Sequence, residues 1–125
     1  MRARHPFRPS MRIRRGAEFQ RAYRQGSRAK GQWMVVVAVE NGLGETRLGL
    51  SIGKRIWKLA VRRNRVRRVF REAFRLSYPE LPEGVDLVLI AAQPQLEPQI
   101  ESCRRELVRL AHKAHRRYLE KKGTA

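Results

Sequence analysis

The chain has 125 residues, of which 29 are Lys or Arg and 11 are Asp or Glu, giving a formal net charge of +18. That length holds one domain with its own core and is too short for a two-domain enzyme, while 42% hydrophobic residues set it apart from a disordered basic tail. Cys103 is the only cysteine, which excludes an intrachain disulfide and a cysteine-built zinc site and predicts a reducing, cytoplasmic setting.

Residues 1–10 bring Arg2, Arg4 and Arg8 together with Pro6 and Pro9 and contain no apolar segment. They read as a flexible basic arm, not as a secretory signal. A single domain is expected over residues 11–121, with a disordered tail at 122–125. Phe19, Ala22 and Tyr23 stand at i, i+3 and i+4 in the segment from Gly16 to Gln25, and Gly26 follows where a helix stops. Ser27 to Gly31 adds a short strand. Trp33 to Glu40 is rich in Val, Asn41-Gly42 is a turn signal, and Arg47 to Ile52 alternates, so the two runs read as a hairpin.

Gly53 ends that strand, and a loop through Lys54, Arg55, Ile56 and Trp57 leads to a helix from about Leu59 to Ser77, closed by Pro79 and Pro82. Val85 to Ala91 is a nearly continuous apolar run, the pattern of a strand covered on both faces. A last helix runs from about Pro98 to Lys121 with Ile100, Cys103, Leu107, Leu110, Ala111, Ala114 and Tyr118 on its apolar stripe. Neither apolar strand approaches the roughly 20 residues that span a bilayer. The order predicts an α/β fold, an α+β sandwich: a helix, a three-stranded antiparallel portion, the second helix, and a fourth strand completing a mixed sheet before the C-terminal helix.

The second helix concentrates the charge. From Lys54 to Arg75 the chain places Lys54, Arg55, Lys58 and seven arginines against one acid, Glu72. At 3.6 residues per turn, Asn64, Arg67, Arg68, Arg71 and Arg75 share one face, while Val66, Val69, Phe70 and Ala73 share the opposite one. Like charges at i, i+3 and i, i+4 each cost a helix a few tenths of a kcal/mol, and a merely solvated helix would interleave Glu to avoid that cost. A polyanion removes it. Arginine, whose planar fork meets two phosphate oxygens and stacks on bases, favours nucleic acid over a membrane surface. A lone Asn among the arginines weights the helix to phosphates over base edges, against a DNA major-groove reader.

Protein-borne catalysis finds little support. Two-metal hydrolysis needs several converging carboxylates, yet Asp86 is the only Asp and lies in an apolar strand. His112 and His115 are spaced to reach one metal ion on the last helix, but no third ligand accompanies them, so they read as a surface or RNA-facing pair. Cys103 reads as a small buried hydrophobe, Trp57 as the anchor of its loop, and Phe19 and Tyr23, on their own, as helix core.

Taken together these residues resemble the protein subunit of bacterial ribonuclease P. The similarity rests on Glu18-Phe19 with Tyr23 and Gly26, on Arg47 to Ile52 leading to Lys54-Arg55, and most on Arg63-Asn64-Arg65-Val66-Arg67-Arg68 with Arg71-Glu72-Ala73-Phe74-Arg75. It extends from Met11 to about Tyr118. The resemblance implies a ribonucleoprotein that removes the 5′ leader of precursor tRNA, with chemistry and Mg2+ carried by the RNA subunit, and a left-handed crossover in the sheet where general sterics favour a right-handed one. It further implies that Lys54, Arg55, Arg63, Asn64, Arg65, Arg67, Arg68 and Arg71 meet the catalytic RNA and that Phe19, Tyr23 and Trp33 line a cleft for the leader, with no membrane partner and no small-molecule substrate. Val37, Gly53 and Ala92-Gln93 depart from the family's usual aromatic, hydroxyl and basic residues. The rival is a ribosomal or general structured-RNA-binding protein without a part in cleavage.

Overall fold

The computed structural model describes residues 9–123; most of the expected arm, and residues 124 and 125 of the expected tail, lie outside them. After a 3-10 turn at Pro9–Met11 come α1 (Gly16–Gln25), β1 (Ser27–Lys30), β2 (Met34–Glu40), β3 (Arg47–Ser51), α2 (Ala60–Ser77), a second 3-10 turn at Tyr78–Glu80, β4 (Val85–Ala91) and α3 (Ile100–Gly123). α3 runs through Lys122 and Gly123, where the sequence placed the start of the tail.

The four strands form one mixed sheet in the order β1-β2-β4-β3. β2 pairs antiparallel with both β1 and β4, and β3 pairs parallel with β4, so α2 is the crossover between parallel strands. The hairpin expected between β2 and β3 does not form, because β4 occupies the place between them. Its cause lies in the Asn-Gly turn. Asn41 does not close a two-residue loop; its side-chain oxygen accepts from the Leu43 amide at 2.7 Å, and its side-chain amide donates to the Glu45 carbonyl at 3.0 Å. The Asn41 amide continues the β2–β4 ladder by donating to the Gly84 carbonyl at 2.9 Å. The antiparallel portion is therefore β1-β2-β4.

Alternation along the strands divides the core. Met34, Val36, Ala38, Leu48, Leu87 and Leu89 face α2 and α3, joining Val66, Phe70, Phe74, Cys103, Leu107 and Leu110 in the larger cluster. Val37, Val39 and Val88 face the other way, with Ile13, Ala22 and Tyr118 and, half-buried, Phe19, Tyr23 and Ile90. The chain ahead of α1 lies along β3, where the Ile13 amide donates to the Leu48 carbonyl at 2.9 Å.

Two buried carboxylates tie the elements together. Asp86, 1% exposed, receives Arg47 in a bidentate pair, with Nε and Nη2 each 2.8 Å from a carboxylate oxygen. Asn41 donates to the same carboxylate at 2.9 Å, and Arg47 reaches Glu18 on α1 at 3.2 Å. Hydrogen bonding to Asp86 raises the Arg47 pKa above the ordinary arginine range, against its own desolvation. Glu106 of α3 accepts the amides of Gln32 and Trp33 at 2.7 Å each and of Met34 at 3.1 Å, which fixes α3 against the β1–β2 turn. A side chain at Gly31 would collide with that carboxylate.

Removing one partner of a buried ion pair leaves the other charge stranded, at a cost of about 3–5 kcal/mol. Arg47→Ala should lower stability by about that much in urea unfolding, and Arg47→Ala with Asp86→Ala should lower it by clearly less than the two single losses added.

Candidate nucleic-acid interface

α2 buries Val66, Val69, Phe70, Ala73 and Phe74 and turns its arginines outward. The helix begins badly for an isolated protein: Leu59 caps it without a side-chain acceptor, and its first turn holds no acid, so the positive end of the helix dipole stands among cations. Glu72 pairs with Arg75, and Arg62 approaches Glu97 at 4.0 Å. Among the described residues no carboxylate pairs with Arg63, Arg65, Arg67, Arg68 or Arg71. The expected row is not one continuous surface: Arg75 is withdrawn to Glu72, and Arg67 and Arg71 line a different recess from Arg68.

The arginines are aimed in three directions. Arg63 folds back on the preceding loop, donating to the carbonyls of Trp57 at 2.9 Å and Lys58 at 2.8 Å. Arg65 and Arg68 line a groove of about 500 Å³ with Pro98, Gln99 and Ile100 at the start of α3. Arg67 is held by Asn64 and the Ile52 carbonyl, each at 2.8 Å. Together with Arg71 and Arg12 it walls a pocket of about 210 Å³ floored by Ile13, Phe19, Leu48 and Leu50. Burial, with Arg12, Arg67 and Arg68 alongside, pushes the half-buried Arg71 guanidinium below the ordinary arginine range. Repulsion of this kind is what a bound phosphate relieves.

Phe19 reaches this pocket because Gly49 lets it. A β-carbon at position 49 would sit 2.9 Å from two Phe19 ring atoms, so the ring lies close against β3. Tyr23, one turn on, stands 6.4 Å from Phe19 at a tilt of 43°, and Arg28 of β1 covers it at 5.8 Å. Trp33, expected beside these rings, packs into the cluster on the opposite side of the sheet. Lys54 and Arg55 are exposed in the loop before α2, bordering a groove of about 600 Å³ with Trp57, Lys58, Pro94 and Gln95. Trp57 anchors that loop, its indole donating to the Leu96 carbonyl at 2.7 Å.

Arg12 and Arg28 were missed from sequence. Arg12 sits in an irregular segment without periodicity, and only its bridge to Leu48 on the edge of β3 brings it to the pocket. Arg28 lies on a four-residue strand that offers too few positions for alternation to mark a face.

The remaining chemistry-bearing residues serve the fold. His112 contacts the Glu80 carbonyl at 2.7 Å and His115 contacts Glu40 at 3.3 Å, so the two rings serve different partners. Among the described residues no three His, Cys, Asp or Glu side chains converge as a metal site would require. Cys103 is fully buried, and desolvation pushes its thiol up to about 12. Among the described residues no helix is long and apolar enough to cross a membrane.

A four-stranded sheet backed by two helices, with Arg67 and Arg71 beside an aromatic-floored pocket and no carboxylate paired to either among the described residues, defines a nucleic-acid-binding α/β protein. A sequence profile described as Ribonuclease P matches residues 7–115. The ribonuclease P protein component of Natranaerobius thermophilus is 35% identical over 102 residues, covering 82% of this chain and 88% of that one. That of Pseudomonas putida is 49% identical over 61 residues, 49% of this chain and 45% of its own. The solved RNase P protein of Staphylococcus aureus aligns with a TM-score of 0.71 at 30% identity, covering 83% of this chain and 94% of that one. The Thermotoga maritima protein aligns with a TM-score of 0.72 at 27% identity over 82% and 96%. The chain belongs to the ribonuclease P protein family, and is therefore an RNA-binding protein of tRNA processing within a ribonucleoprotein.

If the Arg12–Arg67–Arg71 cluster holds an anion, sulfate should raise the thermal unfolding temperature more than chloride at equal ionic strength. Tenfold above its dissociation constant, a ligand of the folded state adds about 1.4 kcal/mol. Circular-dichroism melts should show the sulfate increment shrinking in Arg71→Ala.

Proposed function

We propose that this chain is the protein subunit of a cytoplasmic ribonuclease P ribonucleoprotein, assisting RNA-catalysed removal of the 5′ leader from precursor tRNA. In this reading Arg63, Asn64, Arg65 and Arg68 of α2, with Lys54 and Arg55 of the loop before it, dock the catalytic RNA. Phe19 and Tyr23 take unpaired leader bases, and Arg67 and Arg71 stand at the junction of the two surfaces. Aromatic faces stack on any base at about 1–3 kcal/mol each, which suits leaders of varied sequence. Trp33, half-buried against the opposite cluster, is left out of the leader surface.

The observation that carries the reading is the junction itself: Arg67 and Arg71, from the helix assigned to the catalytic RNA, share a pocket with Phe19, from the helix assigned to the leader. The protein then neutralises phosphates where two RNAs meet. Hydrolysis and magnesium binding are assigned to the RNA subunit, since Asp86, Glu72, Glu101, Glu40 and Glu106 are engaged with arginines, Lys122 and backbone amides.

Reconstitution with a bacterial ribonuclease P RNA at low magnesium should restore precursor cleavage; failure to stimulate that RNA would leave only a general RNA-binding protein. Tyr23→Ala should weaken precursor binding by about 1–3 kcal/mol while sparing mature tRNA and assembly with the catalytic RNA. Equal losses for precursor and mature tRNA would remove the stacking role. Arg65→Ala and Arg68→Ala should each reduce the salt slope of catalytic-RNA binding by about 0.9.

A further inference from the structure

A second row of cations occupies α3. Arg105, Arg109 and Arg116 recur at intervals of four and seven, all of them exposed, with Lys113 and Arg117 on the flank. From Arg105 to Arg116 the row extends about 16 Å at 1.5 Å per residue. Like charges so placed repel, and the helix does little to offset them. Its acids are Glu101, Glu106 and Glu120. Glu101 is held by Arg104 at 2.7 Å. Glu106, the only acid within the row, is turned inward onto the amides of residues 32–34 and approaches Arg109 only at 3.8 Å.

Arg117 donates to the Arg28 carbonyl at 2.7 Å, which sets the C-terminal half of α3 beside β1. β1 is one edge of the sheet and β3 the other, so this surface and the Arg12–Arg67–Arg71 pocket border opposite edges.

The chemistry selects the occupant. Membrane binding needs an exposed apolar face, but the apolar stripe of α3 is buried in the core. A protein partner needs apolar or aromatic anchors, and among the described residues none of the exposed large hydrophobics falls between Arg105 and Arg116. Single-stranded RNA would be met by stacking rings, and the row holds no Phe, Tyr or Trp. A line of guanidinium groups without rings fits the phosphates of a duplex, whose bases are turned inward.

We propose that the outer face of α3 is a second docking surface, for the backbone of an RNA duplex, so that one protein holds two RNA segments at opposite edges of its sheet. This surface is separate from the one assigned to α2 and is tested separately. The full-length protein is mixed with two populations of one short RNA duplex, labelled with donor and acceptor dyes, and bridging is read as energy transfer at substoichiometric protein. The wild type should bridge. Arg105→Ala, Arg109→Ala and Arg116→Ala combined should abolish bridging while leaving one duplex bound, and should reduce the overall salt slope by about 2.7, or about 40-fold in affinity between 50 and 200 mM salt. The corresponding lysine triple keeps the charge and should keep bridging. Bridging by the alanine triple, an unchanged slope, or equal loss in the lysine triple would overturn the proposal. So would an equal preference for a polyglutamate chain over duplex RNA.

Discussion

The buried pair between Arg47 and Asp86 is the constraint around which this molecule is arranged. The two residues are register partners in the parallel β3–β4 pairing, so the ion pair acts across the one junction in the sheet that no short turn could have made. It gathers Glu18 from α1 and Asn41 from the turn after β2 into the same network. A charge sequestered this deeply tolerates few alternatives, since any other strand order would strand it. With β3 held at the sheet edge and α1 tethered above it, the positions of Phe19 and of the residues along β3 follow.

The distribution of the acids explains the rest. In a chain of 29 basic and 11 acidic residues, carboxylates could have been scattered to damp repulsion everywhere. Instead Asp86 and Glu106 hold the core together, Glu18 braces Arg47, and Glu72 and Glu101 each satisfy a single neighbouring arginine. On α2 and α3, Arg63, Arg65, Arg67, Arg68, Arg71, Arg105 and Arg116 are left without a carboxylate partner among the described residues.

Much of this was legible in the sequence. Apolar periodicity located α1 and β4 at their observed bounds, and the opposed stripes of α2 followed from the spacing of Val66, Val69, Phe70 and Ala73 against Arg67, Arg68 and Arg71. What could not be read was pairing. Asn41-Gly42 has the composition of a hairpin turn, but its side chain closes a local ring instead, and the strand that enters beside β2 lies more than forty residues on. Trp33 misled for a related reason: it precedes the regular strand, where alternation no longer dictates the face, and turns into the larger cluster. Arg12 and the role of Glu106 depend on contacts between distant segments, which no local pattern records.

Gly49 illustrates how a missing atom can shape a binding surface. Because position 49 carries only hydrogen, the Phe19 ring settles directly on the β3 backbone, and the space above it remains open beneath Arg67 and Arg71. Even one methyl group there would prop the ring upward into that opening. The strand therefore works as a depth gauge: its bare backbone sets how far a guest can descend before it meets the aromatic floor, and hence how close its charged edge comes to the guanidinium rim.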